Sequence, residues 1–229
     1  MLPTIPPPPE RLLVFARLPE PRRVKTRLAR DIGDERALVL YKAMLRDTLR
    51  SIGGATESLE IEVMWAPTPA ANGDALRRAF DERPLAMQTG ETLGDRLSMA
   101  FSERFFFHRT MKIVAIGVDD PSLSRELIDH AFALLDSCEW VVGPAADGGY
   151  YLIGCRAASY NSEAFMDIAW GTNGVLSATL ARIREWSSTV AVLPERRDID
   201  EGADLATYAG GGEVGALLRE WGYLRNDER

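Results

Sequence analysis

The sequence predicts an α/β protein: a single three-layer α/β/α domain built on a mostly parallel sheet. Three observations carry this. Short apolar runs rich in β-branched residues alternate along the chain with segments of helical periodicity. The central run, Ile113 to Ile116 within KIVAIGVDDPSL, stops at Gly117 and reads as a strand buried on both faces of a parallel sheet. With 229 residues, 46% of them hydrophobic, the chain can build one such domain with a full core.

In chain order, residues 1–10 read as a flexible proline-rich lead-in, because Pro3 and Pro6 to Pro9 favour extended backbone, and residues 11–229 as the domain. The start lacks the basic end and apolar middle of a signal peptide. Leu12 to Ala16 is the first strand. Behind it, Arg17, Arg22, Arg23, Lys25, Arg27 and Arg30 crowd into one stretch of an acidic protein. A basic loop after the first strand of an α/β sheet is well placed to hold phosphates. Lysine offers a point charge and arginine a two-pronged donor. The alternative is a solvated surface loop, and the P-loop pattern is absent.

Asp34 to Arg50 is a helix with Ala37, Leu38, Tyr41, Met44, Leu45 and Leu49 on its core face. Leu59 to Trp65 is a strand, Gly73 to Phe80 a short helix, and Leu85 to Gln88 a short extended piece. In QTGETLGDRLSMAF, Gly90 and Gly94 bracket a loop before a helix striped by Leu97, Ala100, Phe101 and Phe105. That loop either lets a flat ring approach bare backbone or simply turns into a packed helix.

At the end of the central strand stand Asp119 and Asp120. In open α/β sheets this edge is where ligands sit. Either the two carboxylates hold a hard cation, Mg²⁺ or Mn²⁺, or they cap a turn and the next helix. Glu126 to Leu135 is that helix and Glu139 to Val142 the next strand. GPAADGG then turns the chain into a strand from Tyr150 to Gly154. Asp147 is a natural turn residue before Gly148 and Gly149, or else lines a substrate pocket with them. Trp170 leads into a helix from Asn173 to Trp186, and packs on it or walls a pocket. Thr189 to Leu193 is a late strand. Asp198 and Asp200 follow it, two apart and on one face if extended. Asp204 and Leu205 open a short helix, and Glu213 to Trp221 is the last amphipathic one.

Composition removes several function classes. A net charge of −7 argues against a nucleic-acid coat. Two cysteines and two histidines give neither a Cys/His zinc cluster nor a disulfide framework, and suit a cytoplasmic protein. No apolar run approaches the ~20 residues of a membrane span. No Ser-His pair or reactive thiol stands out, which leaves chemistry driven by positioning and charge neutralisation. The oligomeric state stays open, a homodimer among the options.

The motifs VFARLPEPRRVKTRL, TGETLGDRL, IGVDDPSL, VVGPAADGGYYLIG, WGTNGV and RDIDEGADL, in that order, resemble the bacterial GT-A-like transferases associated with radical-SAM/selenodomain proteins, often labelled arsenosugar biosynthesis glycosyltransferases. The resemblance runs from about Leu12 to about Leu205. That family is similar to the wider nucleotide-diphospho-sugar transferases, which include the molybdenum cofactor and phospholactate guanylyltransferases. The resemblance implies a GT-A fold and a metal-dependent transferase that takes a nucleotide or nucleotide-sugar donor and a small-molecule acceptor. Nucleotidyl transfer from a triphosphate is the alternative, and a binding domain without catalysis a third. It further implies that Lys25 and Arg27 touch the nucleotide phosphates, with Ala16, Arg17, Gly90, Gly94 and Arg96 completing the nucleotide site. Asp119 and Asp200 would hold the metal. Asp147, Gly148, Gly149, Tyr150 and Trp170 would border the acceptor, with Asp147 as a catalytic candidate. The chain departs from the family at Arg22, where Gly is usual, at Val118 and Asp120, where Ser and Cys are common, and at Gly171, where Ser is usual.

Overall fold

The computed structural model describes residues 10–225. The prolines expected to form an extended lead-in lie outside the described residues. Glu10, expected in that lead-in, instead opens the first strand. Among the described residues, seven strands form one sheet: β1 (Glu10–Ala16), β2 (Leu59–Trp65), β3 (Leu85–Met87), β4 (Lys112–Ile116), β5 (Trp140–Pro144), β6 (Tyr150–Arg156) and β7 (Val190–Val192). Their order is β3-β2-β1-β4-β6-β5-β7. All neighbours are parallel except β6, which runs antiparallel to both β4 and β5. The central strand therefore has one parallel and one antiparallel neighbour, where a parallel setting was expected. The cause is local: residues 145–149 turn too tightly for a crossover, so β5 and β6 must pair as a hairpin.

Among the described residues there are eight α-helices: α1 (Leu28–Ile32), α2 (Asp34–Ser51), α3 (Gly73–Phe80), α4 (Leu93–Phe106), α5 (Arg125–Leu134), α6 (Val175–Arg184), α7 (Gly202–Leu205) and α8 (Gly212–Glu220). Alternate residues of β1 point to opposite layers. Leu12 and Val14 join Tyr41, Leu45 and Ile128 on one face, whereas Leu13 joins Leu97, Phe101 and Ile183 on the other. That alternation makes the three layers. A smaller apolar cluster of Leu28, Met44, Ile199, Leu205 and Leu218 pins α1, α7 and α8 to the outer side of α2. Among the described residues, no helix is long and apolar enough to cross a membrane.

Helix starts follow their caps. Thr92 and Asp95 form a reciprocal capping box for α4, and the Ser124 hydroxyl accepts from Leu127 N–H to start α5. The helix expected from Asn173 begins only at Val175 and has no side-chain cap. Asn173 instead lays its carbonyl against Gly148, where a Cβ would sit 2.1 Å away.

Candidate functional site

The strands β1 to β4 end at one rim of the sheet, and antiparallel β6 begins there, because Ile116 pairs with Leu152. A cavity of about 630 Å³ opens at this rim. Ala16, Arg17, Lys25, Arg27, Arg96, Asp119, Tyr150 and Asp200, all singled out from the sequence, line it. Gly90, Gly94, Asp147, Gly148, Gly149 and Trp170 are absent from its lining.

At the tip beyond β4 the two adjacent aspartates part. The Asp119 side chain is half exposed and faces the cavity, whereas Asp120 is buried beneath it. Asp120 accepts hydrogen bonds from Ser122 N–H, from the Ser122 hydroxyl and from Arg196 Nε. The pair therefore does not form a shared cation site, and Asp120 is a structural turn and ion-pair residue. Its bond to Arg196 holds the segment after β7 alongside the tip, where Ile199 N–H donates to the Asp119 carbonyl at 2.9 Å. This brings Asp200 to the rim.

The basic loop supplies the third charged group. Lys25 Nζ lies 2.5 Å from an Asp119 oxygen and 2.7 Å from an Asp200 oxygen. The Lys25 side chain is only 4% exposed. Burial pushes its ammonium pKa down, but the two carboxylates outweigh burial and hold it above the ordinary lysine value. The loop is held from several sides. The Tyr41 hydroxyl of α2 accepts from Arg17 N–H at 2.9 Å and donates to the Arg17 carbonyl at 3.0 Å. Arg17 donates to the Arg23 carbonyl, and the Lys25 carbonyl accepts from Ala29 N–H as α1 begins. Two non-glycine residues, Arg22 (φ 61°) and Lys25 (φ 47°), are left-handed, a conformation that costs an L residue about 1–2 kcal/mol. Glycine would take that conformation freely at either position.

On the far wall, buried Gln88 donates through Nε2 to the carbonyls of Ala16 and Met64, and Arg96 Nε donates to the Gly90 carbonyl. Gly94 lies behind this wall. A Cβ there would come within 2.4 Å of the Phe165 carbonyl and 2.7 Å of Trp170 Nε1. Glycine at 94 and the indole of Trp170 are thus parts of one packing contact. Asp147 is exposed and accepts from Gly149 N–H, as a turn residue does. Tyr150 alone of the expected acceptor residues faces the cavity, with its ring edge-on to Trp170.

Asp198, beside the rim, is a strongly perturbed carboxyl. One of its oxygens is buried with no hydrogen-bond partner. Burial first, then the charges of Asp119, Asp200 and Asp147, raise its pKa to about 7, against the pull of Lys25. Tyr41, Gln88 and Arg196 carry the architecture of the site without having been recognised in the sequence.

The whole architecture recurs in solved structures. A provisionally named nucleotide-diphospho-sugar transferase from Desulfovibrio desulfuricans G20 superposes with a TM-score of 0.87 at 29% identity, covering 96% of this chain and 100% of that one. The 4-diphosphocytidyl-2C-methyl-D-erythritol synthase of Anaerococcus prevotii DSM 20548 gives a TM-score of 0.57 at 12% identity, covering 93% and 96% of the two chains. A CMP:2-keto-3-deoxy-manno-octonic acid synthetase complexed with CTP gives 0.53 at 11%, covering 93% and 99%. At these last two identities the likeness is one of fold. No protein among the curated ones matches the sequence. The model of one family matches residues 51–172, and the chain belongs to that family, described as "Uncharacterized protein conserved in bacteria (DUF2064)".

Proposed function

We propose that this protein is a transferase that takes a nucleotide-activated donor, a nucleotide sugar in the first reading, with Mg²⁺ or Mn²⁺ as its cation. One observation carries the reading: Lys25, Asp119 and Asp200 converge within a cleft at the carboxyl rim of an α/β sheet. A domain that only bound nucleotide would have no need to meet one ammonium with two carboxylates there.

Whether the residues fit a divalent cation can be tested on their donors. Among the described residues, no three His, Cys, Asp or Glu side chains group as a metal cage. Two carboxylates do converge, and a buried Asp198 oxygen beside them lacks a partner. Mg²⁺ is usually bound by one or two carboxylates plus substrate phosphates and water, so this donor set fits a site completed by substrate. Asp119 and Asp200 would hold the ion, which when bound neutralises phosphate charge.

The remaining roles belong to the chain. Lys25, Arg17 and Arg27 offset charge on the departing nucleotide diphosphate as an acceptor attacks the sugar. Arg96 and Gln88 wall the nucleotide side of the cleft, and Tyr150 borders the acceptor side. In the finer form of this reading, the resemblance to the arsenosugar-type glycosyltransferases extends to activity. A second reading is favoured by charge. Arg17, Arg23, Lys25 and Arg27 bring four cationic groups to one cleft, which suits a triphosphate and nucleotidyl transfer with pyrophosphate leaving.

A thermal-shift screen tests both. At a hundredfold excess over Kd, a ligand adds about 2.7 kcal/mol, or roughly 5–10 °C in Tm for a chain of this size. Nucleotide sugars should give the largest metal-dependent shift in the first reading, and nucleoside triphosphates in the second. No shift with any nucleotide, with or without Mg²⁺ or Mn²⁺, overturns the proposal.

A further inference from the structure

We infer that Lys25 closes the Asp119–Asp200 pair to a free divalent cation, so that cation and polyphosphate can enter the cleft only together. The inference deepens the proposed function and rests on its reading of the cleft as a polyphosphate site.

Two carboxylates that would otherwise repel are bridged by one ammonium, 2.5 and 2.7 Å away. Lys25 is nearly sealed from solvent, at 4% exposure, while Asp119 and Asp200 remain 49% and 39% exposed. The lysine is thus the inner partner, lying between the two acids rather than beside them. A dication that bound both acids would meet this ammonium at contact distance, and like charges that close repel strongly away from bulk water. Two carboxylates also leave most of the coordination shell of Mg²⁺ or Mn²⁺ to other donors. A lone cation therefore gains little and must evict a well-held ammonium.

A polyphosphate changes both sides of that balance. Its oxygens complete the cation's shell. They also give the ammonium new acceptors in the same cleft. The Lys25 backbone is fixed through its carbonyl at the start of α1, but the four-carbon stem above it is flexible. The Nζ can pass from carboxylate to phosphate without the loop moving. Coupling of this kind is reciprocal: whatever factor the polyphosphate adds to cation affinity, the cation adds to polyphosphate affinity.

The test uses the full chain and counts free Mn²⁺ by electron paramagnetic resonance, with inorganic pyrophosphate as the polyphosphate probe and protein-free pyrophosphate blanks. Wild type should bind Mn²⁺ alone weakly, and pyrophosphate should raise that affinity about tenfold or more. Lys25→Met should bind Mn²⁺ alone about tenfold more tightly than wild type and lose most of the coupling. Lys25→Gln keeps polar contact with the acids without the charge, and should behave like Lys25→Met even if the methionine variant folds poorly. Wild type that binds Mn²⁺ tightly without pyrophosphate overturns the inference, as do neutral variants with wild-type Mn²⁺ affinity. The arms without pyrophosphate judge the lysine alone. Failure of every nucleotide and of pyrophosphate to bind would instead remove the proposed function.

Discussion

Asp120 and Arg196 form an ion pair beneath the tip of the central strand, one residue away from Asp119, which faces the cleft. The two neighbouring aspartates therefore do different work. The Asp120 side chain is 3% exposed and that of Arg196 30%. Removing one partner of a buried pair costs about 3–5 kcal/mol. Arg196 keeps some contact with water, so Asp120→Ala should lose about 2–3 kcal/mol in urea unfolding. Asp120→Asn, which still accepts from Ser122 N–H, should lose less. Asp119→Ala should lose less than Asp120→Ala, because Asp200 still pairs the buried Lys25 ammonium, and should abolish metal-dependent nucleotide binding. Equal stability of Asp120→Ala and wild type would refute this division of labour.

The Tyr41 hydroxyl makes a two-way bond with the Arg17 main chain at the mouth of the basic loop. Tyr41→Phe keeps the ring in the core but leaves a part-buried N–H and C=O without their partner. Unmade bonds of this kind cost roughly 1–3 kcal/mol. The variant should fold, lose stability in that range, and bind nucleotide more weakly because the loop carrying Lys25 is less well held. Calorimetric titration that returned wild-type nucleotide affinity would show that the clamp serves the core alone.

Elements whose signals lie within a few residues were legible in the sequence. β2 and α3 fall at the expected limits, because the apolar run of one and the Asn72-to-Phe80 stretch of the other are bounded by turn residues. α1 carries no helical signal of its own: its five residues sit inside the basic run and bury only Leu28. The 3-10 turns at Ala157–Ser159 and Ser162–Phe165 likewise have no periodicity to find. At the site, residue types and their order along the chain singled out Lys25, Asp119 and Asp200. Their supports are long-range. Tyr41 bonds a residue 24 positions away and Asp120 one 76 away, and nothing near either betrays the partner. Tyr41 sits on a regular core stripe, which hides its hydroxyl's role. Asp120 was undecidable between ligand and turn because both use the same side chain in the same place.

Gly94 shows how a glycine in a site-like motif can belong to packing. Alanine is the better helix former by about 1 kcal/mol. A Cβ at 94 would, however, meet a backbone carbonyl at 2.4 Å and an indole nitrogen at 2.7 Å. Overpacking against backbone costs about 1–3 kcal/mol or more, so the clash should win. Gly94→Ala should lower Tm by several degrees. Nucleotide affinity, measured well below that Tm, should stay within about twofold if the residue is only a spacer; a fall of tenfold or more with little change in Tm would return Gly94 to the nucleotide site.

Asp198 should make stability depend on pH in a direction opposite to most acids. Its folded pKa of about 7 lies above the ordinary aspartate value of about 3.9, chiefly through burial and then through Asp119, Asp200 and Asp147. Between those two values the folded protein holds a proton that the unfolded chain has released. Stability contributed by this group is therefore present below about pH 4 and lost as pH rises through about 7. Asp198→Asn keeps the shape of the protonated acid and removes the charge. The variant should match wild type near pH 4 and exceed it above pH 7, by a few °C in Tm. Differential scanning calorimetry across that range would decide. A variant no more stable than wild type at pH 8 would mean that Asp198 is ionised without penalty, and that its unpartnered oxygen is answered by a donor such as water.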